Sequence, residues 1–380
     1  MNPQERFCPN LACPARGRVG ERNIVIHSQK EKRYKCKVCR KTFTERSGTA
    51  YYRLHHDEEL MTVVIALLAN GCPPQAIVAA YGLDERTVAN WQERAGKHSQ
   101  VVHEHLVQKP RDLEHIQADE VRVKAQGQVF WMATLAPARS AGVLMMVSNR
   151  LWLGGVVGKQ RNLYLIMQLM QILRACALAR PMLIAVDGFA AYVTATQRVF
   201  RTALPTGKVG RPRLIPWPGI HIGQVVKQYQ GRCVVGISRR MAQGCAVMAH
   251  RLVLTSRGGQ QLNTAFIERL NATFRARLAP LARRSRCLLR TQAMLHSSMY
   301  LVGTIYNFCT YHKSLRLPGV IGGKRHWLPR TPAMAAGIAD HCWTVQELLS
   351  YRVPPPPWTP PKRRGRPSNA MKQLQARWCS

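Results

Sequence analysis

Acidic residues are scarce where this chain is most basic, and those few are the side chains best suited to chemistry. Between Val121 and Ala339 only Asp187 and Glu268 are acidic, against roughly thirty Lys and Arg, which is a poor match for solvated ion-pair acids scattered by chance. Asp119 and Glu120 lie just upstream. Carboxylate oxygens are hard donors for Mg²⁺. Two such ions about 3.5–4 Å apart activate an attacking water or hydroxyl and stabilise the leaving oxygen of a phosphodiester.

The surroundings say how each acid is delivered. Met182–Val186 is an unbroken apolar run ending at Asp187, the pattern of a buried strand carrying a carboxylate to the rim of a sheet. Asp119 and Glu120 sit in a β-rich stretch, His115 to Val123. Alternation sends neighbouring strand residues to opposite faces, so only one of the two is expected to join the cluster. Glu268 lies in a helix expected over Thr264–Leu278, with Ile267, Leu270, Phe274 and Leu278 as its buried stripe and Glu268, Asn271 and Arg275 along the adjacent edge. Further strands are expected at Val129–Leu135 and Val143–Val147 around a turn at Ala136–Ala138, with helices at Asn162–Leu178 and Thr291–Cys309. No tyrosine or serine has surroundings that suggest a covalent nucleophile. Tyr300, Tyr306 and Tyr311 fall at core spacing.

A second constellation opens the chain. Cys8, Cys13, Cys36 and Cys39 form two pairs within the first forty residues, the spacing of a tetrahedral thiolate site for structural Zn²⁺. Four thiolates leave no open position, so this ion would staple a small module. The other eight of the twelve cysteines are scattered singly and read as reduced. Glu58–Gly96 then carries helical patterns. One ends at Asn70-Gly71, a short second opens at Pro73-Pro74 and closes at Gly82, and a third, capped by Asp84, is expected to stop at Gly96. This is a helix-turn-helix pattern, whose third helix would present Arg86, Asn90 and Arg94 to a major groove.

The net charge of +37 points to a polyanion, and phosphate binding by Lys and Arg is salt-dependent. No uncharged apolar run approaches the ~20 residues of a membrane-spanning helix, and no signal-peptide core is visible. The expectation is a cytoplasmic, nucleoid-associated protein that binds double-stranded DNA and no membrane. Thr202–Asn263 looks like a β-rich insertion, with β pieces at Val225–Ile237 and Ala246–Thr255. Pro354–Pro357 reads as a stiff spacer, and Arg364-Gly-Arg366-Pro as an AT-hook-like arm able to enter a narrow minor groove.

Three segments carry a family likeness: Ala118-Asp119-Glu120, Val186-Asp187-Gly188-Phe189-Ala190-Ala191-Tyr192, and Ile267-Glu268-Arg269-Leu270-Asn271 continuing to Arg275. Together with the order of elements over Cys8–Lys313, they make the chain resemble the DDE transposases of the "insertion sequence one" type. The resemblance implies a multidomain protein: a zinc ribbon (1–50), a helix-turn-helix (55–100), and an α/β ribonuclease-H-like catalytic domain (110–320) with an insertion at 202–263. A C-terminal helix and basic tail (325–380) would follow. It implies Asp119, Asp187 and Glu268 as the metal-binding triad, Asn271 and Arg275 as supporting residues, and two Mg²⁺ ions, with Mn²⁺ as a substitute. The expected partners are the terminal repeats of a mobile element and target DNA, bound by a homo-oligomer. The alternative from another class is a catalytically inactive DNA-binding regulator descended from such an enzyme. A nuclease of the same fold is the enzymatic rival.

Overall fold

The computed structural model describes the 380 residues except 1, 127, 141–148, 205–209, 232, 257–258, 283–288, 322–323, 361–364 and 380, with backbone only at 137–140, 320, 321 and 324. The strand expected at Val143–Val147 and Arg364 lie outside the described residues. The chain divides into two compact units, Met1–Glu58 with Leu349–Ser380, and Glu59–Leu348.

The first unit is built from both ends of the chain. Strands β1 (Ile24–Ser28), β2 (Arg33–Cys36) and β3 (Thr42–Thr44) form an antiparallel sheet in that order. Arg40 takes a left-handed conformation, φ 60°, and its N–H donates to the Cys36 carbonyl at 2.8 Å, so the Cys36–Cys39 segment folds into a tight knuckle. A module this small lacks a core of its own. The missing apolar surface comes from the far end of the sequence: Trp358 and Trp378 are buried against Cys8, Cys13, Ala15, Ile24, Tyr34 and Cys36, with Met371 and Leu374 of the last helix, Asn369–Trp378, packed beside them. The proline run is therefore docked and is not a free spacer. Arg16 donates to the carbonyls of Pro356 (2.7 Å) and Pro357 (2.9 Å). Gly17, at φ 72°, has the Pro355 carbonyl where a Cβ would come within 2.8 Å.

The second unit begins with α1 (Glu58–Ala69), α2 (Pro74–Tyr81) and α3 (Glu85–Leu106). Gly82 closes α2 at φ 62°, and the Asp84 side chain accepts from Arg86 N–H at the start of α3. Helix α3 does not stop at Gly96 but runs to Leu106. That glycine marks a close approach, because a Cβ there would lie 2.3 Å from the carbonyl oxygen of Ser297. The helix expected to end a separate DNA-reading domain is thus packed along the helix that carries Ser297, inside the larger unit.

Next come β4 (Leu113–Ala125), β5 (Gln128–Ser140), β6 (Gly154–Gly158), α4 (Leu163–Cys176), β7 (Met182–Val186) and α5 (Ala191–Val199). A short β8–β9 hairpin (Arg201–Ala203, Leu214–Pro216) precedes β10 (Ile220–Gln230), β11 (Cys233–Gln243), α6 (Ala246–Thr255), α7 (Ala265–Arg277) and α8 (Gln292–Phe308). The six-stranded sheet has the order β11-β10-β7-β4-β5-β6. β4 and β10 both run parallel to β7, while β5, β6 and β11 pair antiparallel to their neighbours. Even-numbered β4 residues Ile116 and Ala118 pack with α4 and α5, whereas Val121 and Val123 pack with α7 and α8. The sheet is therefore covered on both faces, a mixed α/β arrangement.

Three expectations need correction. No turn falls at Ala136–Ala138, because β5 continues to Ser140. Pro137 is tolerated where the β4–β5 register is irregular, next to Ile116, and where β6 no longer flanks β5. The 202–263 segment is not set apart from the sheet, since β10 hydrogen-bonds β7 from Ile220–Met182 to Gln224–Val186. Its stretch Ala246–Thr255 is a helix, with Ala249 and Val253, one turn apart, buried on Leu183. Among the described residues, no helix is long and apolar enough to cross a membrane.

The docking of Trp378 couples the two chain ends. We expect Trp378→Ala to destabilise the first unit by about 3–5 kcal/mol, read as earlier loss of metal from the four thiols during chelator titration. Unchanged chelator resistance would show that the C-terminal helix contributes nothing to the cysteine module.

Candidate metal centres

The sheet register assembles the acids. His115, Ile116 and Gln117 of β4 lie level with Leu183, Ile184 and Ala185 of β7. Two residues further, the same register sets Asp119, midway along β4, level with Asp187, just past the carboxyl end of β7. Carboxylate oxygens of Asp119, Glu120 and Asp187 lie within 4.8 Å of one another. Glu120 therefore joins the group that alternation was expected to deny it. Alternation governs the Cβ direction, and Glu120 does start on the α5 side of the sheet. Its longer side chain is drawn round by Arg161, which donates to Glu120 Oε2 at 2.8 and 3.1 Å and also pairs with Asp187. The Asp119 carboxylate turns back along its own strand and accepts from Glu120 N–H at 2.9 Å.

Asp119 is held from the α7 side. Asn271, fully buried, donates to Asp119 Oδ2 at 2.9 Å, while Thr134 donates to Asn271 Oδ1 at 2.9 Å and so fixes the amide's orientation. Thr134 sits opposite Asp119 in the β4–β5 ladder. The α7 N-terminus is pinned by Gln117, whose Oε1 accepts the N–H groups of Phe266 and Ile267, both at 3.0 Å, while its Nε2 donates to the Asn263 carbonyl at 2.8 Å. Asp187 accepts from Phe189 N–H at 2.9 Å. Glu268 lies outside the 4.8 Å group: it is paired with Lys227 Nζ at 2.7 Å and accepts from Thr264 at 2.7 Å. Arg275 is exposed.

The electrostatics follow from crowding. Burial pushes the Asp119 carboxyl above its usual range, and the charges of Asp187 and Glu268 add to this against the hydrogen bond from Asn271. Burial also raises Glu120, although Tyr192 and Arg161 favour its charged form. Burial and the neighbouring Glu120 drive the Tyr192 phenol well above its ordinary value. Burial alone would raise Glu268 too, but Lys227 and Thr264 bring it below the usual carboxylate range. Glu120 Oε1 is buried with no hydrogen-bond partner among the described residues. A half-buried, oxygen-rich cluster with an unsatisfied oxygen fits a hard divalent cation. The cationic charge now at the cluster is Arg161, whose guanidinium lies over the Phe189 ring at 4.2 Å.

The four N-terminal cysteines also converge. Cys8 and Cys39 sulfurs are 3.6 Å apart and Cys13 and Cys36 sulfurs 3.8 Å apart, close to the ~3.8 Å edge of a tetrahedron with about 2.3 Å metal–sulfur bonds. Burial and the neighbouring sulfurs push the Cys8 thiol up, and Cys13 up to about 12. Despite burial, hydrogen bonds from Asn10 and Lys41 bring Cys39 down to about 7. Such a set is held as thiolates by a bound cation, and zinc fits it.

Of the expected DNA contacts, Arg86, Asn90 and Arg366 are exposed and Arg94 half-buried. Arg161, Lys227, Gln117 and Thr134 escaped sequence reasoning, and Tyr192 entered it only as part of a family-like segment. Arg161 and Lys227 are two among many basic residues, and Gln117 and Thr134 look like ordinary strand polar residues. Only the Asp119–Thr134 pairing could have singled one out, and it requires the register. Searched against models of known protein families and against curated proteins, the chain matches none.

Replacing Gln117 by Leu keeps its volume but strands two buried N–H groups at the start of α7. A loss of about 1–3 kcal/mol in unfolding free energy is expected in denaturant titration, and an unchanged midpoint would remove Gln117 from this role.

Proposed function

We propose that this chain is a metal-dependent DNA strand-cutting and strand-joining enzyme with a ribonuclease-H-like catalytic domain. More narrowly, we read it as a DDE transposase that binds the ends of a mobile element and transfers its 3′ ends to a target. The observation that carries the reading is the meeting of Asp187, at the carboxyl end of β7, with Asp119, midway along the adjoining parallel strand β4, with Glu120 within 4.8 Å and Glu268 close enough to raise the Asp119 carboxyl. The strand order supports it: an antiparallel run β6-β5-β4 continues into the parallel strands β7 and β10, with helices on both faces.

Asp119, Asp187 and Glu268, with Glu120 as a further donor, would hold Mg²⁺ (or Mn²⁺), which supplies activation of a water or 3′-hydroxyl and stabilisation of the leaving oxygen. The chain's own residues do the rest. Asn271 and Thr134 keep the Asp119 carboxylate aimed, Gln117 anchors the helix that bears Glu268, and Arg161 and Lys227 offset the acids' mutual repulsion. The remaining basic residues position the DNA backbone without reading its sequence. Zn²⁺ on Cys8, Cys13, Cys36 and Cys39 would stiffen the first unit. Arg86, Asn90 and Arg94 on α3, with Arg364 and Arg366, would contact the element's terminal repeats or flanking DNA. Reduced thiols and the basic surface suit an intracellular, DNA-bound protein acting as a homo-oligomer on paired ends.

Asp187→Asn tests this. The variant is expected to bind duplex DNA from the flanks of its own reading frame as the wild type does, while Mg²⁺-dependent nicking and joining fall to background on a sequencing gel. Undiminished cutting would take Asp187 out of the centre.

A further inference from the structure

Beyond Gln224, which lies level with Val186, β10 leaves the body of the sheet. From there to Gln230 its one partner among the described residues is β11, forming a two-stranded arm about 20 Å long at ~3.4 Å per residue. Its root touches the acid cluster on two sides. Gly188, immediately after Asp187, packs against Val226, where a Cβ would come within 3.1 Å. Lys227 pairs with Glu268. Residues directly opposite in an antiparallel ladder share a face, so Lys227 with Ile237 and Tyr229 with Val234 lie on one side of the arm. Val235 is the extra residue of the register shift between these pairs.

Beyond Lys227, that face is apolar and open to solvent. Tyr229 is 62% exposed, Val235 60%, Val234 48% and Ile237 46%. An edge strand bearing such a strip invites association unless something covers it. Without DNA to neutralise it, a second copy is a poor occupant, because a chain of net charge +37 with exposed Arg239 and Arg240 on the same strand repels itself. Duplex DNA has the complementary charge, and its base stack offers the apolar surface that the phosphates flank.

We propose that the β10–β11 arm is a DNA-distorting wedge, with Tyr229 stacking on a base unstacked beside the phosphodiester held at the acid cluster, and Val234, Val235 and Ile237 covering the opened step. This rests on reading the acids as a strand-cutting centre. The geometry gives the reason for its place: Tyr229 is two residues beyond Lys227, about 7 Å along the arm or some two base-pair steps from the lysine that pairs with Glu268. Inserted apolar side chains unstack and bend a duplex, and aromatic stacking holds an extruded base with little sequence preference.

The test uses the full chain in EDTA, so that nothing is cut, with duplexes from the DNA flanking its reading frame and 2-aminopurine placed at successive positions. Wild type is expected to raise the fluorescence several-fold at one or two adjacent positions. Tyr229→Ala should abolish the rise and weaken binding by about 5- to 150-fold, Tyr229→Trp should keep both, and Ile237→Ser should reduce the rise. Both Tyr229 variants replace an exposed side chain, and the tryptophan variant reports a folded arm. A wild-type complex with no enhancement anywhere, or a Tyr229→Ala complex with the full enhancement, overturns the wedge. Conversion of a DNA-free dimer to a monomer by Tyr229→Ala in sedimentation would also overturn it, making the strip a self-interface. Nicking measured in parallel with Mg²⁺ separates the two readings. Enhancement without nicking leaves the wedge and removes the cutting centre; nicking without enhancement does the reverse.

Discussion

The parallel pairing of β4 with β7 is the constraint from which the acid centre follows. That short ladder runs from His115–Leu183 to Gln117–Ala185, yet its register decides which side chains meet where β7 ends. A slip by one residue would set Glu120, not Asp119, level with Asp187 and turn every apolar residue of β4 to the wrong covering layer. Burial on both faces forbids that slip, since Ile116 and Ala118 belong to one core and Val121 and Val123 to the other. The site thus inherits its precision from packing.

Bringing acids together in a half-buried place creates a deficit of positive charge, and the structure answers it twice. Arg161 bridges Glu120 and Asp187 from beneath the Phe189 ring, and Lys227 takes Glu268. The cysteine module faces the same problem in sulfur, with burial pushing Cys8 and Cys13 up while Cys39 stays lower. In both places the uncompensated charge makes a cation the natural completion.

Much of this was legible in the sequence wherever local pattern and tertiary context agree. Met182–Val186 is apolar at every position because it is buried at every position, so both the strand and the acid ending it could be read. The four cysteines announce their convergence by spacing. Reading failed where the deciding contact is distant. Gly96 looks like a helix stop, yet it is a glycine because Ser297 lies against it. Ala246–Thr255 has β-compatible residues, but its buried positions, Ala249 and Val253, are spaced by one helical turn. Arg161 carries no mark to distinguish it from its many basic neighbours, and Trp358 and Trp378 gave no sign that they complete a core hundreds of residues away.

The central claim, that Asp119, Glu120 and Asp187 form a site for a divalent cation, is tested most directly by titrating Mn²⁺ into the DNA-free protein and following its electron paramagnetic resonance. Saturable binding that Mg²⁺ displaces is expected, lost in Asp119→Asn and strengthened in Arg161→Met. Binding that is absent in the wild type, or indifferent to Asp119→Asn, would contradict it.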